Sequence, residues 1–484
     1  MKPFFLLLLF SFSLLGDDYA QWLKQEQEKF NGFRKNHNEE FAQELKKDWE
    51  AFQAQYLSNS YEKPKPIEAP NLEKESKLDV RLIQDSPFVK IQKPLEPIIT
   101  TPKPKIFVEK KAPQKKLLPI KNSNMRHATF DFYSNKIDIN YHQHLGFLLT
   151  SVSKEGIGNF WERFIKLDNN ALIEQLQNYI SLYNLNDWAT YLLVHKLGME
   201  IYKTNNMANL FSWYVLTQMN YDVKIGYSHQ NIYLLANMKH DLFQVAFLTL
   251  QGTKYYVLTP KGQIRNIESI YTYKTNHAKA NELLSFEFKS PLLLNNSSTN
   301  TALHFKYEEK HYIFEASYSK DLIDFYKTFP QSSYPIYFYA NNSSLLFSSL
   351  LPQLKTLLEN RTEIEAVNML LRFVQTSFEY KTDEENFGYE KVLFPEETIF
   401  YPYSDCEDRA ILFTFLVKHL LNLEVIGIKY SDHMATAVRF SSKPALDGFV
   451  HKNHFYVIAD PTYVNANIGM SIPKYQNKRF DIIE

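Results

Sequence analysis

This chain of 484 residues contains one thiol, Cys406, in the run Tyr403-Ser404-Asp405-Cys406-Glu407-Asp408-Arg409. A lone cysteine cannot cross-link its own fold, so its expected use is chemical. Downstream, His433 opens one predicted strand and Asp460 closes another. A thiol to attack, an imidazole to move the proton and a carboxylate to orient the imidazole are what nucleophilic acyl transfer needs.

The elements that must position these side chains can be read from their surroundings. Ser404 and Glu407 have the S-x-x-E spacing of a capping box. That predicts a helix with Cys406 at its second position, where unpaired amides and the positive end of the helix dipole favour a thiolate. Ala410, Phe413, Val417 and Leu420 follow at helical spacing, which places Cys406 on the inward face. Asp405, Glu407 and Asp408 oppose ionisation of the thiol, so an imidazolium partner is needed, and His433 is the candidate.

The segment from Glu424 to Tyr430 is rich in Val and Ile and reads as a buried strand. A turn at Ser431-Asp432 leads into a second strand, His433 to Phe440. There His433, Ala435, Ala437 and Arg439 share one face, and Met434, Thr436, Val438 and Phe440 the other. The small residues beside the histidine are expected to leave room for the helix or for substrate. A third strand, His454 to Ala459, ends in Asp460-Pro461-Thr462, where proline stops the ladder and leaves the carboxylate at the strand end. Antiparallel pairing would bring Asp460 beside His433.

The runs Asp405-Cys406-Glu407-Asp408-Arg409, His433-Met434-Ala435-Thr436-Ala437-Val438 and Tyr456-Val457-Ile458-Ala459-Asp460-Pro461-Thr462-Tyr463 together resemble the transglutaminase-like cysteine proteinases of the papain-like superfamily. The resemblance lies within residues 351–484 and does not reach the N-terminal third. It implies an α+β domain whose cysteine-bearing helix packs on an antiparallel sheet. It also implies Cys406 as nucleophile, His433 as general base and then acid, Asp460 as orienting carboxylate, and no cofactor. Such families include peptidases, amidases and amine-transferring enzymes, so the implied chemistry is narrower than the implied substrate.

The oxyanion hole asks for the Cys406 N–H and a second donor, for which Gln375, Tyr401 and Tyr403 are candidates. Gln375 falls on a helix that a Thr362/Glu365 capping box should start. His451 and His454 have no further ligands at suitable spacing, so no metal is expected there. From Asp383 to Asp408 the chain carries nine acidic residues and one basic residue, Lys391. A cleft lined by that segment would favour amine-bearing partners: a lysine peptide, a cell-wall cross-link or an amine acceptor.

The remainder of the chain sets the context. Formal net charge is zero, the pI is about 7.2 and only 13 residues are glycine, which argues against nucleic acid and against a phosphate-binding loop. Met1-Lys2-Pro3 followed by an apolar run from Phe4 to Leu15 reads as a signal peptide, too short to span a bilayer, with cleavage after Gly16. Export to a bacterial periplasm or secretion is expected, with no transmembrane segment left after cleavage. Phe30, Phe33, Phe41, Leu45, Trp49, Phe52 and Tyr56 recur at mostly helical spacing and suggest an amphipathic helix or helical hairpin that docks on an envelope partner or on the enzyme itself.

Ten of the 21 prolines lie between Lys63 and Lys121, the composition of an extended tether of about 3.1 Å per residue. Residues 204 to 260 echo the catalytic segment: Leu210-Phe211 matches Leu412-Phe413, Asp222-Val223 matches Glu424-Val425, and Thr259-Pro260 matches Asp460-Pro461. The corresponding positions hold Thr204 for Cys406, Thr259 for Asp460 and His240 for His433. A degenerate first copy of the catalytic fold is therefore expected. The resulting division is a signal peptide (1–16), an amphipathic helical segment (17–60), a Pro/Lys-rich linker (61–125), a degenerate transglutaminase-like domain (126–260), a β-rich bridge (261–350) and a catalytic domain (351–484).

Overall fold

The computed structural model describes residues 36–58, 65–89, 124–262, 267–294, 298–340 and 344–484, with Gln21 and Gln25. Residues 1–16, expected to be a signal peptide, Phe30, Phe33 and the lysines from Lys103 to Lys121 lie outside the described residues. Helix makes up 36% and strand 27%, so the fold is of the mixed α+β class.

In the N-terminal half, the helices Lys154–Ile165, Asn170–Leu182, Asp187–Tyr202 and Asn205–Gln218 precede most of a seven-stranded sheet. Its spatial order is Glu50–Gln53, Ser269–Thr272, Val223–Ser228, Asn231–Asn237, Thr253–Leu258, Ala246–Leu250, Gln55–Tyr56. The two outer strands are neighbours in the chain, separated only by Ala54, whose N–H donates to Glu268 O at 2.9 Å. One segment thus covers both sheet edges and rolls the sheet upon itself.

This corrects the helix expected over 17–60, because residues 50–56 are strand. Phe52 and Ala54 pack inward at a period of two, and the aromatic spacing alone could not separate that pattern from a helix. Residues 36–44 are helical, with Phe41 buried against Trp161 at 5.0 Å between ring centroids. Of the stripe, Phe41 and Leu45 are core of this half, Trp49 and Phe52 pack against it, and Tyr56 is exposed.

In the C-terminal half, helix Cys406–Leu421 is followed by strands Glu424–Lys429, Met434–Arg439, Phe449–His451, His454–Ala459 and Asp481–Ile483. In space they lie fifth, first, second, fourth, third, all antiparallel. Helix Asn205–Gln218 and the five strands after it have the same order and the same directions. Register agrees as well: the last residue of the fourth strand faces the second strand as Ala459↔Thr436 in one half and Leu258↔Leu234 in the other.

Every residue from Cys406 to Val417 is buried, so the single inward face expected for this helix is too narrow. Cys406, Ala410 and Ile411 enter one core with Met434, Phe338 and Phe394. Leu412, Phe413, Leu416 and Val417 enter a second core with Val438 and helix Glu363–Ser377. That second helix starts with the expected capping box, Thr362 N–H donating to Glu365 at 2.8 Å and Glu365 N–H to Thr362 Oγ1 at 3.4 Å. Within the expected bridge, strands Ser298–Tyr307 and Lys310–Ser319 form a hairpin that lays Phe305 on Phe373 at 5.5 Å between centroids.

Part of the proline-rich segment is a docked strap rather than a tether. Residues 65–89 run over the C-terminal half, and three prolines present carbonyls to donors there. Pro66 O accepts from Tyr380 Oη, Pro70 O from Val464 N–H and Pro87 O from Glu363 N–H, each at 2.8 Å. Proline lacks an N–H to satisfy and has little backbone entropy to lose, which favours an ordered strap made of extended chain.

Candidate active site

Cys406 is the first residue of its helix, not the second, and is 0% exposed. Asp405 is the N-cap, and its N–H donates to Asp408 Oδ2 at 3.3 Å. Aspartate caps as well as serine does, so the box sits one residue later than Ser404/Glu407. Ser404 Oγ accepts from Arg409 Nε at 3.2 Å instead. Arg409 also donates to Gln375 O at 3.2 Å and Phe378 O at 2.8 Å, closing the C-terminal end of helix Glu363–Ser377. The Cys406 thiol donates to Glu407 Oε2 at 3.1 Å. Burial first, then the Glu407 and Asp405 charges, push the thiol well above its ordinary pKa.

His433 immediately precedes strand Met434–Arg439 and is 0% exposed. Its Nε2 bonds to Asp460 Oδ2 at 2.8 Å, and Nδ1 is buried without a hydrogen-bond partner among the described residues. Asp460 Oδ1 accepts from the Thr462 and Tyr463 N–H groups at 2.9 and 3.1 Å. The Asp-Pro-Thr turn thus commits one oxygen to the backbone and leaves the other for the imidazole. Tyr475 stacks on His433 with centroids 4.9 Å apart. Its hydroxyl is pushed upward by burial, then by bonded Asp432, with smaller effects from Cys406 and Asp460. Tyr475 therefore stands within electrostatic reach of both the thiol and the carboxylate.

Other expectations are revised. Ala435 and Ala437 do not face helix Cys406–Leu421; they pack with Tyr430, Tyr456, Tyr463 and Tyr475. Met434 and Val438, on the other face, meet that helix. The Gln375 amide donates to Asp460 O and Ala466 O, both at 3.1 Å, so it positions the turn and its N–H groups are already engaged. Tyr401 lies edge-on to Phe387, and Lys381 sits over the Tyr403 ring.

In the first half, the ladder register puts Asn231, not His240, at the His433 position. His240 follows that strand and lies 3.1 Å from Glu287. Register also places Thr259, the residue after strand Thr253–Leu258, where Asp460 stands.

Much of the acidic segment is buried: Asp383, Glu396, Glu397, Asp405, Glu407 and Asp408 all lie inside. Lys391 pairs with Glu397. Lys65, from the strap, pairs with Asp383, Glu390, Asp405 and Glu407. Burial pushes the Asp383, Glu407 and Asp408 carboxyls well upward, with Asp405 the next contributor for each. Asp383, Glu390 and Glu407, and likewise Asp383, Asp405 and Asp408, bring carboxylate oxygens within 4.8 Å of one another, close enough to share a cation. A cleft of about 830 Å³ lies in the N-terminal half, lined by Asn38, Glu162, Tyr214 and Gln218, away from these groups.

Lys65, the thiol's bond to Glu407, the Tyr475 stack and the positioning role of Gln375 all escape a reading of sequence alone. The one local hint was Lys65 standing between Pro64 and Pro66, where the backbone is stiff. No protein-family model, curated protein or solved structure matches this chain. Among the described residues, no helix is long and apolar enough to cross a membrane.

Proposed function

We propose that this protein is an exported, transglutaminase-like thiol enzyme acting on amide bonds. Cys406 attacks a carbonyl to form a thioester, His433 takes the thiol proton and returns it to the leaving amine, and Asp460 holds the imidazole. Water completes a peptidase or amidase cycle; an amine acceptor completes a cross-link. Hydrolysis is the favoured outcome because water is in excess. The substrate is a peptide or protein, an amine-bearing or cell-wall peptide included.

The observation that carries this reading is the His433–Asp460 bond at 2.8 Å with Nδ1 buried and without a partner among the described residues. An imidazole anchored through one nitrogen, with the other buried and without a partner, is costly unless that nitrogen has work to do. The shared helix-and-strand order of the two halves supports an internal duplication whose first copy lacks thiol, imidazole and carboxylate at the matching positions. The test is Cys406→Ala in an assay of amide products from a cell-envelope extract: activity should vanish while thermal stability stays nearly unchanged. Retained activity overturns the reading.

One observation favours a second reading. The thiol is sealed among carboxylates that oppose its ionisation, as suits an envelope scaffold that keeps the fold for recognition. Wild-type protein without turnover on any amide under conditions that expose Cys406 would favour the scaffold.

A further inference from the structure

The strap places a single ammonium among four carboxylates at the start of the nucleophile helix. Lys65 Nζ lies 3.4 Å from Asp383, 2.6 Å from Glu390 and 2.9 Å from Asp405, and closer still to Glu407. Glu407 carries this ammonium on Oε1 and the Cys406 thiol on Oε2. Between residues 65 and 85, Lys65 is the one buried residue; Ile67, two positions on, is 72% exposed. Packing for stability alone would bury the isoleucine and leave the lysine in water.

Beyond Lys65 the strap is tied mainly to the loop that follows Asp460. Leu72 N–H donates to Val464 O at 3.0 Å and Ser76 N–H to Asn465 O at 3.1 Å. Asn467 Nδ2 donates to Ser76 O at 2.8 Å, and Glu75 pairs with Arg372 at 2.5 Å. One extended segment therefore touches both Glu407, which holds the thiol, and the loop that follows Asp460.

We propose that residues 65–76 are a displaceable latch whose Lys65 fills, in cis, a subsite for a primary alkylammonium group beside Cys406, and that an amine-bearing ligand occupies that subsite when the latch opens. This rests on the reading of Cys406 as nucleophile and gives that site a regulation and a ligand class. An ammonium offers three donors, and the surrounding carboxylates supply at least as many acceptors. A neutral or anionic group would leave those carboxylates facing one another in the interior. Beyond Lys65 the strap is half-buried or exposed, and it is held by hydrogen bonds and by the charges of Lys65 and Glu75, the type of segment that opens locally without global unfolding. With Cys406 and His433 both at 0% exposure, such an opening is what gives a substrate access.

Because the chain has one thiol, iodoacetamide labelling of the native full-length protein reads access to Cys406 directly. Wild type should label slowly. Lys65→Met, which keeps the side-chain stem, and Glu75→Ala, which loosens the strap away from the carboxylates, should each speed labelling about tenfold or more. Butylammonium should slow the Lys65→Met variant again, saturably, while butanol should not.

Labelling of both variants at the wild-type rate, or indifference to butylammonium, overturns the proposal. Should Lys65→Met not fold, Glu75→Ala and hydrogen exchange of wild type decide: the Leu72 and Ser76 amides must exchange faster than those of strand His454–Ala459, and equal protection refutes the latch. Faster labelling without amide turnover in any variant would keep the latch and remove the enzyme.

Discussion

Replacing Asp460 by asparagine separates the two tasks of that side chain. Oδ1 is held by two backbone N–H groups at 2.9 and 3.1 Å, so an amide placed there keeps its oxygen on them and turns its NH₂ toward His433. In the native protein Oδ2 accepts from Nε2–H, which leaves the Nδ1 lone pair to receive a proton. Facing an NH₂ donor, Nε2 must become the acceptor, and the imidazole proton moves to Nδ1.

The base is then blocked while the turn survives. Asp460→Asn should lower amide turnover roughly 1,000-fold or more yet cost only about 1 kcal/mol of stability. Asp460→Ala, which loses all three hydrogen bonds and orphans His433, should cost about 3–4 kcal/mol. Urea denaturation of the three proteins, with turnover measured on one envelope-peptide preparation, makes the comparison. Turnover retained in the asparagine variant, or equal destabilisation by both, would refute the tautomer argument.

Gln375→Leu should leave the Asp460 and Ala466 carbonyls unpaired in the interior and cost about 2–3 kcal/mol in urea denaturation, with slower turnover because the turn loses its support. Asp383 has a raised pKa in the fold, so the stability it contributes is complete below its unfolded value and is lost as pH rises through the folded one. Asp383→Asn should therefore be more stable than wild type at pH 8 and gain nothing at pH 4, by denaturation at the two pH values. His419 has the opposite sign: burial lowers its pKa to about 4, so its contribution is present above 6.5 and is lost as pH falls toward 4. His419→Phe, between Phe347 and Phe415, should remove part of the acid destabilisation, followed by circular dichroism across that range.

The strands around the site were legible because each carried a local signal. Val and Ile marked Glu424–Lys429, alternation marked Met434–Arg439, and Pro461 marked the end of His454–Ala459. The capping box at Thr362/Glu365 was equally local. The cap of helix Cys406–Leu421 was misread by one residue because Ser404 and Asp405 are both competent caps, and only the chain path chooses between them. Residues 50–56 were misread because two faces of a rolled sheet and one face of a helix can select the same aromatic spacing. His240 was matched to His433 by residue type, whereas register, which depends on which strands pair, selects Asn231.

Sequence alone specified the ingredients: a single thiol, the chain order Cys406, His433, Asp460, the element types that carry them, and an acidic run without matching bases nearby. These follow from short-range chemistry, since caps, period and turn residues act over a few positions. The echo between residues 204–260 and the C-terminal segment was legible too, but tertiary structure alone decided that His433 and Asp460 meet at 2.8 Å and which strand register relates the two halves. It also decided that the missing cation for the acidic cluster arrives from Lys65, more than 300 positions away. Long-range pairing of charges and strands depends on how separate segments fold back on one another, and no local pattern encodes which distant segment will fill a given crevice.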